Sequence, residues 1–369
     1  MDDGESTPPA VMGREMPYMP HAIVSEILAH LPVKSLMRFC CVCKAWQSTI
    51  CGDASFHRAH LRLQKPCLLV SPNTLDDGIR QRVHIDKVGL YRLEANQQGT
   101  TVPLVYATDI SSDAFMHVLA HCHGLVLLHA KSAVHLLNPA TRRTLTLPRS
   151  HGAEPPRRGP LGTEMSRQAF GLGNDPRSGA YKVACLSYSY YRSLGKLGMT
   201  TDNHSIKMEV FTIGTDRHWR ETPTQPPAIP YSGTANSDLL QGVTYLDPLW
   251  GHSRLAELRG ELCLSCGRAD INSVELWMCD NVDKPRWVLR YTIDVCGFRP
   301  PDCSPVAAFE DEIVFNDYTY GTRRYNLRTK SYSKMFSMED LRHHKPSIST
   351  PEEFFYFDVI PYTPSLIPI

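Results

Sequence analysis

The sequence contains no long apolar run and no excess of charge of either sign. No stretch reaches the ~18 apolar residues that a membrane-spanning helix needs, because His129 interrupts the run from Leu125 and Ser265 interrupts the run from Leu262. The 39 basic and 38 acidic residues leave a formal net charge of +1, which gives no general attraction to nucleic acid or to an anionic membrane. The first ten residues lack the basic start and apolar core of a secretory signal. We expect a soluble protein of the cytoplasm, the nucleus or both, with no nucleic-acid or membrane partner.

The sequence also lacks the common catalytic and phosphate-binding motifs. It has no Gly-x-Ser-x-Gly elbow, no Walker loop and no His-Glu-x-x-His pair. Gly171 and Gly173 lack the third glycine of a dinucleotide loop, and we interpret them as part of a hairpin turn. Cys263 and Cys266 have the spacing of a zinc or redox pair, but a second pair is missing, so two unrelated thiols are favoured over a metal site. We predict no catalytic residue, no metal and no cofactor.

The 12 cysteines are expected to be mostly free and buried. Disulfides belong to oxidising compartments, and no secretory signal directs this chain to one. Cys40, Cys41 and Cys43 lie in an apolar helical segment. Burial there would raise the pKa of each thiol and make it unreactive.

Helical periodicity is concentrated in residues 20–50. Apolar residues recur at spacings of three and four from Ile23 to Leu31, Pro20 stands at the start of this run, and Pro32 ends it. Two further short helical runs follow, and Asp53 is placed to cap a last turn. Three short helices in about forty residues cannot bury all their apolar side chains unaided. They must pack either on the rest of the chain or on a partner.

This segment resembles the F-box. The F-box pattern has a Leu-Pro start, an apolar helix that ends in Leu-Pro, and a Val-Cys-Lys-x-Trp segment. Here the corresponding residues are Met19-Pro20, Leu31-Pro32 and Val42-Cys43-Lys44-Ala45-Trp46, with Met19 in place of the usual Leu. The resemblance implies docking on a Skp-type adaptor of a cullin-RING ubiquitin ligase. The residues expected to contact the adaptor are Pro20, Ile23, Ile27, Leu28, Leu31, Pro32, Leu36, Val42, Cys43 and Trp46.

After Pro66 the pattern changes to short apolar strands that are separated by Gly, Pro, Asn and Asp. Three segments share a strand-turn-strand plan, and one helix is expected at residues 338–343. The three segments are LYRLEANQQGTTVPL from Leu90, LLNPATRRTLTLP from Leu136 and RYNLRTKSYSKM from Arg324. Repeated units of this kind favour a β-propeller-like body over the alternative, a β-sandwich. The C-terminal FFYFDVIPYTPSLIPI would supply a final strand set that closes the ring.

Two details of this body can be predicted from residue type. In Asn138-Pro139-Ala140-Thr141 the Asn side chain is expected to bond the nearby backbone of a turn. Trp219, Trp277 and Trp287 lie in strand-like surroundings and are expected to be buried between blades.

Several pieces of the body, taken in order, resemble the F-box-associated domain of large plant F-box families. They are HGLVLL from His123, NPATR from Asn138, FGLGNDP from Phe170, YKV from Tyr181, Val210-Phe211 leading to Trp219-Arg220, and VELW from Val274. The resemblance implies a non-catalytic module that binds a target protein.

These observations predict a mainly β protein with a small N-terminal α module. The expected parts are a disordered tail at 1–16, a three-helix F-box at 17–62, and an F-box-associated, β-propeller-like domain at 63–369. The implied function is that of a substrate receptor in a Skp–cullin–F-box ubiquitin ligase, with an unknown protein substrate. The alternative is a β module that binds a glycan or small ligand, in which the N-terminal helices are only internal packing.

Overall fold

A computed structural model describes residues 19–74, 88–93, 104–108, 119–130, 133–151, 158–159, 162–175, 177–195, 198–221, 253–259, 261–268, 272–279, 287–295, 303–317, 321–337 and 354–369. Within these ranges four helices precede 21 strands. The expected mainly β fold with an N-terminal helical module is confirmed. The tail expected at 1–16 and the helix expected at 338–343 lie outside the described residues.

The helical module has one helix more than the three-helix prediction. Its helices are α1 (His21–Ala29), α2 (Val33–Phe39), α3 (Lys44–Gly52) and α4 (Ala54–Leu63). Pro20 and Pro32 directly precede α1 and α2, where a missing N–H costs nothing. The Asp53 carboxylate accepts from the backbone N–H of Ser55 at 2.8 Å and of Phe56 at 3.2 Å. Asp53 therefore caps α4, as predicted.

The four helices share one buried core, which includes a residue from the other end of the chain. The buried apolar members are Leu28, Ala29, Val33, Leu36, Ile50, Phe56 and Leu366. Two buried histidines of α4 complete the packing: Nε2 of His57 donates to the Ile50 carbonyl at 2.8 Å, and Nε2 of His60 donates to the Leu31 carbonyl at 2.9 Å. These bonds fix α4 against the ends of α3 and α1.

The strands form five antiparallel sheets of four or five strands. The first sheet contains β21 (Phe354–Tyr362), β1 (Cys67–Thr74), β2 (Val88–Leu93) and β3 (Leu104–Thr108). The second contains β4 (Ala120–Cys122), β5 (Leu125–Ala130), β6 (Ala133–Asn138) and β7 (Arg143–Leu147). The third contains β8 (Arg158–Gly159), β9 (Gly162–Asn174), β10 (Tyr181–Gly195), β11 (Gly198–Thr212) and β12 (Arg220–Glu221). The fourth contains β13 (Ser253–Leu258), β14 (Glu261–Arg268), β15 (Ser273–Cys279) and β16 (Trp287–Asp294), and the fifth contains β17 (Cys303–Phe309), β18 (Glu312–Asp317), β19 (Gly321–Asn326) and β20 (Ser331–Ser337).

One strand of each sheet contacts the corresponding strand of a neighbouring sheet. β21 contacts β4 and β17, β4 also contacts β9, and β17 also contacts β13. This side-by-side arrangement of four-stranded sheets is that of propeller blades. A sandwich would instead place the strands in two face-to-face sheets. The C-terminal strand β21 pairs antiparallel with β1 from Cys67↔Tyr362 to Thr74↔Phe354. The two ends of the β body therefore meet in one blade.

Alternate residues of the central strands face different neighbouring blades. In β5, Leu125 and Leu127 pack toward the third sheet, whereas Val126 and Leu128 pack toward the first. In β18, Ile313 and Phe315 belong to the core shared with the fourth sheet, and Val314 to the core shared with the first. A strand that is buried on both faces has no polar alternation. This explains why these strands are continuous apolar runs in the sequence.

The three repeated strand-turn-strand segments each form the last two strands of a blade. They correspond to β2–β3, β6–β7 and β19–β20. The turn after β6 has the predicted form, since Asn138 Oδ1 accepts from the backbone N–H of Ala140 and Thr141. The interpretation of Gly171 and Gly173 as a turn is wrong. Both lie inside β9, and the turn is formed further on, where the Asp175 N–H and carbonyl bond Ala180 and Gly179.

The three tryptophans differ in their surroundings. Trp219 is buried between the second and third sheets, where it packs on Phe170 and Phe211 and donates from Nε1 to the Pro148 carbonyl at 2.7 Å. Trp277 is only partly buried and donates to Glu275 on its own strand. The prediction of a tryptophan between blades is thus confirmed for Trp219 and wrong for Trp277, because Trp277 lies on the same strand face as an accessible carboxylate. The side chain of Trp287 lies outside the description.

Replacing Trp219 with Phe is expected to lower the free energy of unfolding by about 1–3 kcal/mol. The substitution leaves a gap between two blades and removes the donor that satisfies the Pro148 carbonyl. Urea unfolding followed by circular dichroism measures the change. Trp277→Phe is the matched control, and it should cost less because its bond to Glu275 is half-exposed. Equal losses in the two variants would contradict the assignment of Trp219 to the interface.

Stability should also fall in mild acid because of His60. Burial lowers the pKa of His60 below its ordinary value of 6.5, since the charged ring would lose its hydration. Below about pH 6.5 the unfolded chain therefore binds a proton at this residue that the folded chain does not bind. Protonation then favours the unfolded state, so the free energy of unfolding decreases as the pH falls through 6.5 and below. His60→Gln keeps a donor for the Leu31 carbonyl but cannot titrate. Between about pH 7.5 and 5.5, the melting temperature of the wild type should fall more steeply than that of H60Q, and parallel slopes would refute the role of His60.

Candidate functional site

The helical module exposes large apolar side chains at and before α1 and in the turn between α2 and α3. Met19 is 53% exposed, Ile23 48%, Ile27 50% and Val42 59%. Ile23 and Ile27 are four residues apart and therefore lie on the same side of α1. Single exposed apolar residues are ordinary on protein surfaces, but a group on one small module indicates a surface that a partner covers.

The ten residues predicted to contact a partner fall into three groups. Those that are exposed are Pro20, Ile23, Ile27, Pro32, Val42 and Cys43. Leu31 and Trp46 are partly buried and pack against the helical core. Leu28 and Leu36 are 2% and 0% exposed and belong to that core. Leu28 and Leu36 therefore hold the helices together in this structure, and the surface that a partner could touch is formed by the other eight.

Trp46 connects the core to the surface. Its ring lies 5.6 Å from the ring of Phe39, in a tilted arrangement that joins α2 to α3. Both residues are partly buried. Three basic residues close to them in sequence, Lys34, Arg38 and Lys44, are exposed.

The cysteines of this module are only partly as expected. The Sγ atoms of Cys40 and Cys51 are 3.1 Å apart, and burial together with the neighbouring Cys51 thiol raises the pKa of Cys40 to about 11. The raised pKa agrees with the expectation for Cys40. Cys41 and Cys43 are exposed instead of buried, because they lie in the turn between α2 and α3. The helical periodicity did not show where α2 ends.

In the body, Cys263 is fully buried in the core shared by the fourth and fifth sheets. Over the described ranges, no group of three or more His, Cys, Asp or Glu side chains is arranged to hold a metal ion. None of the helices in the described part of the chain is long and apolar enough to span a bilayer.

Two features next to this surface were not predicted from the sequence. Leu366 enters the core of the helical module from the C-terminal end of the chain. Ala140, in the turn after β6, packs against the same core. Neither residue carries a local signal, because each contact depends on how distant segments meet in the fold.

Comparison with known families agrees with this division of the chain. The family model of the F-box domain matches residues 16–58. The family model described as the F-box associated beta propeller domain matches residues 89–248. The two matches occur in the same order as the helical module and the β body.

Curated plant proteins are similar over most of the chain. An F-box/kelch-repeat protein of Arabidopsis thaliana is 26% identical over 308 residues, which cover 74% of this chain and 68% of that protein. An F-box protein of the same species is 25% identical over 367 residues, covering 85% of each. Among solved structures, the WD40 domain of SCAP from fission yeast covers 73% of this chain and 59% of that domain, at 8% identity and a TM-score of 0.20. That likeness is too low to bear on the fold.

The F-box match coincides with the helical module that exposes the apolar side chains, and the second match covers β2 to β12, which belong to the first three sheets of the β body. An F-box joined to such a domain is the general architecture of substrate receptors in Skp–cullin–F-box ligases and is typical of non-catalytic adaptors. The chain carries an F-box followed by an F-box associated β-propeller domain and is similar to plant-type F-box proteins.

Proposed function

We propose that this protein is a substrate receptor whose F-box binds a Skp-type adaptor and whose β body binds a target protein for ubiquitination. The observation that carries the proposal is that four large apolar side chains of the helical module, Met19, Ile23, Ile27 and Val42, are about half exposed. We call these four residues the docking face. They lie within or directly beside the motifs through which the sequence resembles the F-box.

The docking face is large enough to supply binding energy. Each of its side chains keeps about half of its surface in water. Complete burial of an aliphatic side chain stabilises by roughly 1.5–3 kcal/mol, so covering the half that is exposed yields about 1 kcal/mol each. A central apolar group of this kind, with Pro20, Pro32 and Trp46 close to it in sequence, has the composition of an interface core.

Charge around the docking face favours an acidic partner. Residues 19–65 contain six basic side chains, all of them exposed, and only Glu26 and Asp53 as acidic ones. Asp53 is already used as the cap of α4. Basic residues at an interface rim increase the association rate with an acidic surface more than they increase affinity. The adaptor surface is therefore expected to be an apolar groove with an acidic rim.

The β body would have the complementary role of binding the target protein. It would hold the target close to the ubiquitin-carrying enzyme, so that its contribution to transfer is proximity and orientation. The chain itself would form and break no bond. The ligand-binding alternative requires the helices to be internal packing only, and an uncovered apolar face on those helices favours the receptor.

Replacing Ile23 and Ile27 together with Glu should abolish adaptor binding. Two carboxylates would have to be buried without partners, which costs more than the apolar contact can return. We expect at least a hundredfold loss of affinity, equivalent to about 2.7 kcal/mol, when the purified chain is titrated with a Skp-type adaptor.

Leu63→Glu is the matched control for that experiment. Leu63 is 47% exposed, like Ile23 and Ile27, but lies at the end of α4. The L63E variant should bind the adaptor as the wild type does. Adaptor binding that survives in the double variant would rule out the docking face, whereas equal loss in L63E would show that the effect is one of general surface charge.

A further inference from the structure

The last residues of the chain connect the β body to the F-box. After β21 ends at Tyr362, residues 363–369 leave the first sheet; we call this segment the C-terminal strap. Leu366 is 5% exposed and lies in the helical core with Leu28, Leu36 and Phe56. The next residue, Ile367, is 6% exposed and lies in the core between the second and third sheets. Two adjacent side chains of the strap thus enter two different cores.

Asn138 holds the strap at the point where it turns toward the helices. This residue is fully buried, and its Nδ2 donates to the carbonyls of Ser365 at 3.2 Å and Ile367 at 2.9 Å. These two carbonyls flank Leu366. The Oδ1 atom accepts from the backbone N–H of Ala140 and Thr141. Both donors and both acceptor sites of the amide are therefore used.

Gly124 provides the space for the strap to pass. It has φ of +81°, and a Cβ atom at this position would lie 2.3 Å from the Thr363 carbonyl oxygen and 2.7 Å from Ser365 Oγ. Any larger residue would displace the strap. Gly179 also has a positive φ, of +70°, but has nothing within 4 Å of the same position. The requirement at Gly124 thus comes from the strap as well as from the turn.

A second turn of the same type separates the role of the Asn138 amide oxygen from the role of its nitrogen. Asn326 ends β19 as Asn138 ends β6, and its Oδ1 accepts from the backbone N–H of Arg328 and Thr329 at 3.0 Å each. The turn therefore needs only the oxygen of the amide. In Asn138 the nitrogen is used in addition, for the strap.

We infer that the C-terminal strap locks the F-box in one orientation on the propeller, and that Asn138 is the residue that positions it. Domains joined only by a short linker normally move relative to one another. Here the chain itself runs from Leu63 to Cys67, and the strap makes a second, non-covalent connection through Leu366. The linker is largely exposed, but the strap is buried at Leu366 and Ile367, and this buried second connection leaves little freedom of rotation. The consequence for ubiquitin transfer, that the lock sets where a bound target faces, rests on the proposed function; the lock itself does not.

Asn138→Asp tests the lock with little change to the turn. A carboxylate still accepts from Ala140 and Thr141, but it cannot donate to the two strap carbonyls and repels them. In the full-length chain, amide exchange in residues 363–369 should become about tenfold faster or more, and small-angle scattering should show a larger radius of gyration. N326D, which alters the equivalent turn outside the strap, should match the wild type in both measurements.

A second variant keeps the test decisive if N138D does not fold. Leu366→Ser removes the strap's contact with the helical core and leaves Asn138 intact, and it should give the same two changes. If strap exchange and scattering of whichever variant folds equal those of the wild type, the lock is refuted. Adaptor binding is measured separately: wild-type chain that fails to bind the adaptor contradicts the proposed function, whereas altered exchange and scattering in chains that still bind it support the lock.

Discussion

Burial on both faces is the constraint on which this structure depends. The first, second and fifth sheets each contribute residues to two different cores, as β5 does with Leu125 and Val126, so none of these three sheets can bury its apolar surface without a neighbour on either side. The helical module also cannot bury all of its apolar side chains by itself. Its core is completed by Leu366 from the strap, and a further apolar surface remains exposed. The arrangement of the parts follows from which surfaces the chain can cover with its own residues.

The same constraint separates structural residues from candidate functional ones. Leu28 and Leu36 are covered by the chain itself and stabilise the helices, whereas Ile23 and Ile27, on the same module, are not covered. Both groups look alike in an apolar helical pattern. Their different roles become visible only when the fold shows which side of each helix meets α4 and the strap. An apolar side chain that the whole chain leaves uncovered is the one for which a partner is proposed.

Much of the fold could be predicted because its signals are local. The proline boundaries of α1 and α2, the Asp53 cap and the strand-turn-strand repeats depend on residues close together in sequence. Ile23, Ile27 and Val42 of the docking face were in the predicted contact set, whereas Met19 was not, and the set did not separate the buried Leu28 and Leu36 from the exposed residues. The strap contacts could not be predicted, because they join segments more than two hundred residues apart. The environment of Trp277 and the extent of β9 could not be predicted either, because residue type alone does not show which strand positions stay accessible or where a strand ends. Asn138 illustrates both cases: its oxygen serves a local turn that the sequence shows, and its nitrogen serves a segment more than two hundred residues away.

The proposed function depends on apolar side chains of the F-box that the described part of the chain leaves exposed. Titration calorimetry of the purified chain with a Skp-type adaptor at several temperatures tests this claim most directly. The account predicts a complex of one chain with one adaptor and a negative heat-capacity change, the mark of apolar surface removed from water. The absence of binding, or binding without a heat-capacity change, would contradict this prediction. The exposed apolar residues of α1 would then be ordinary surface residues without a partner.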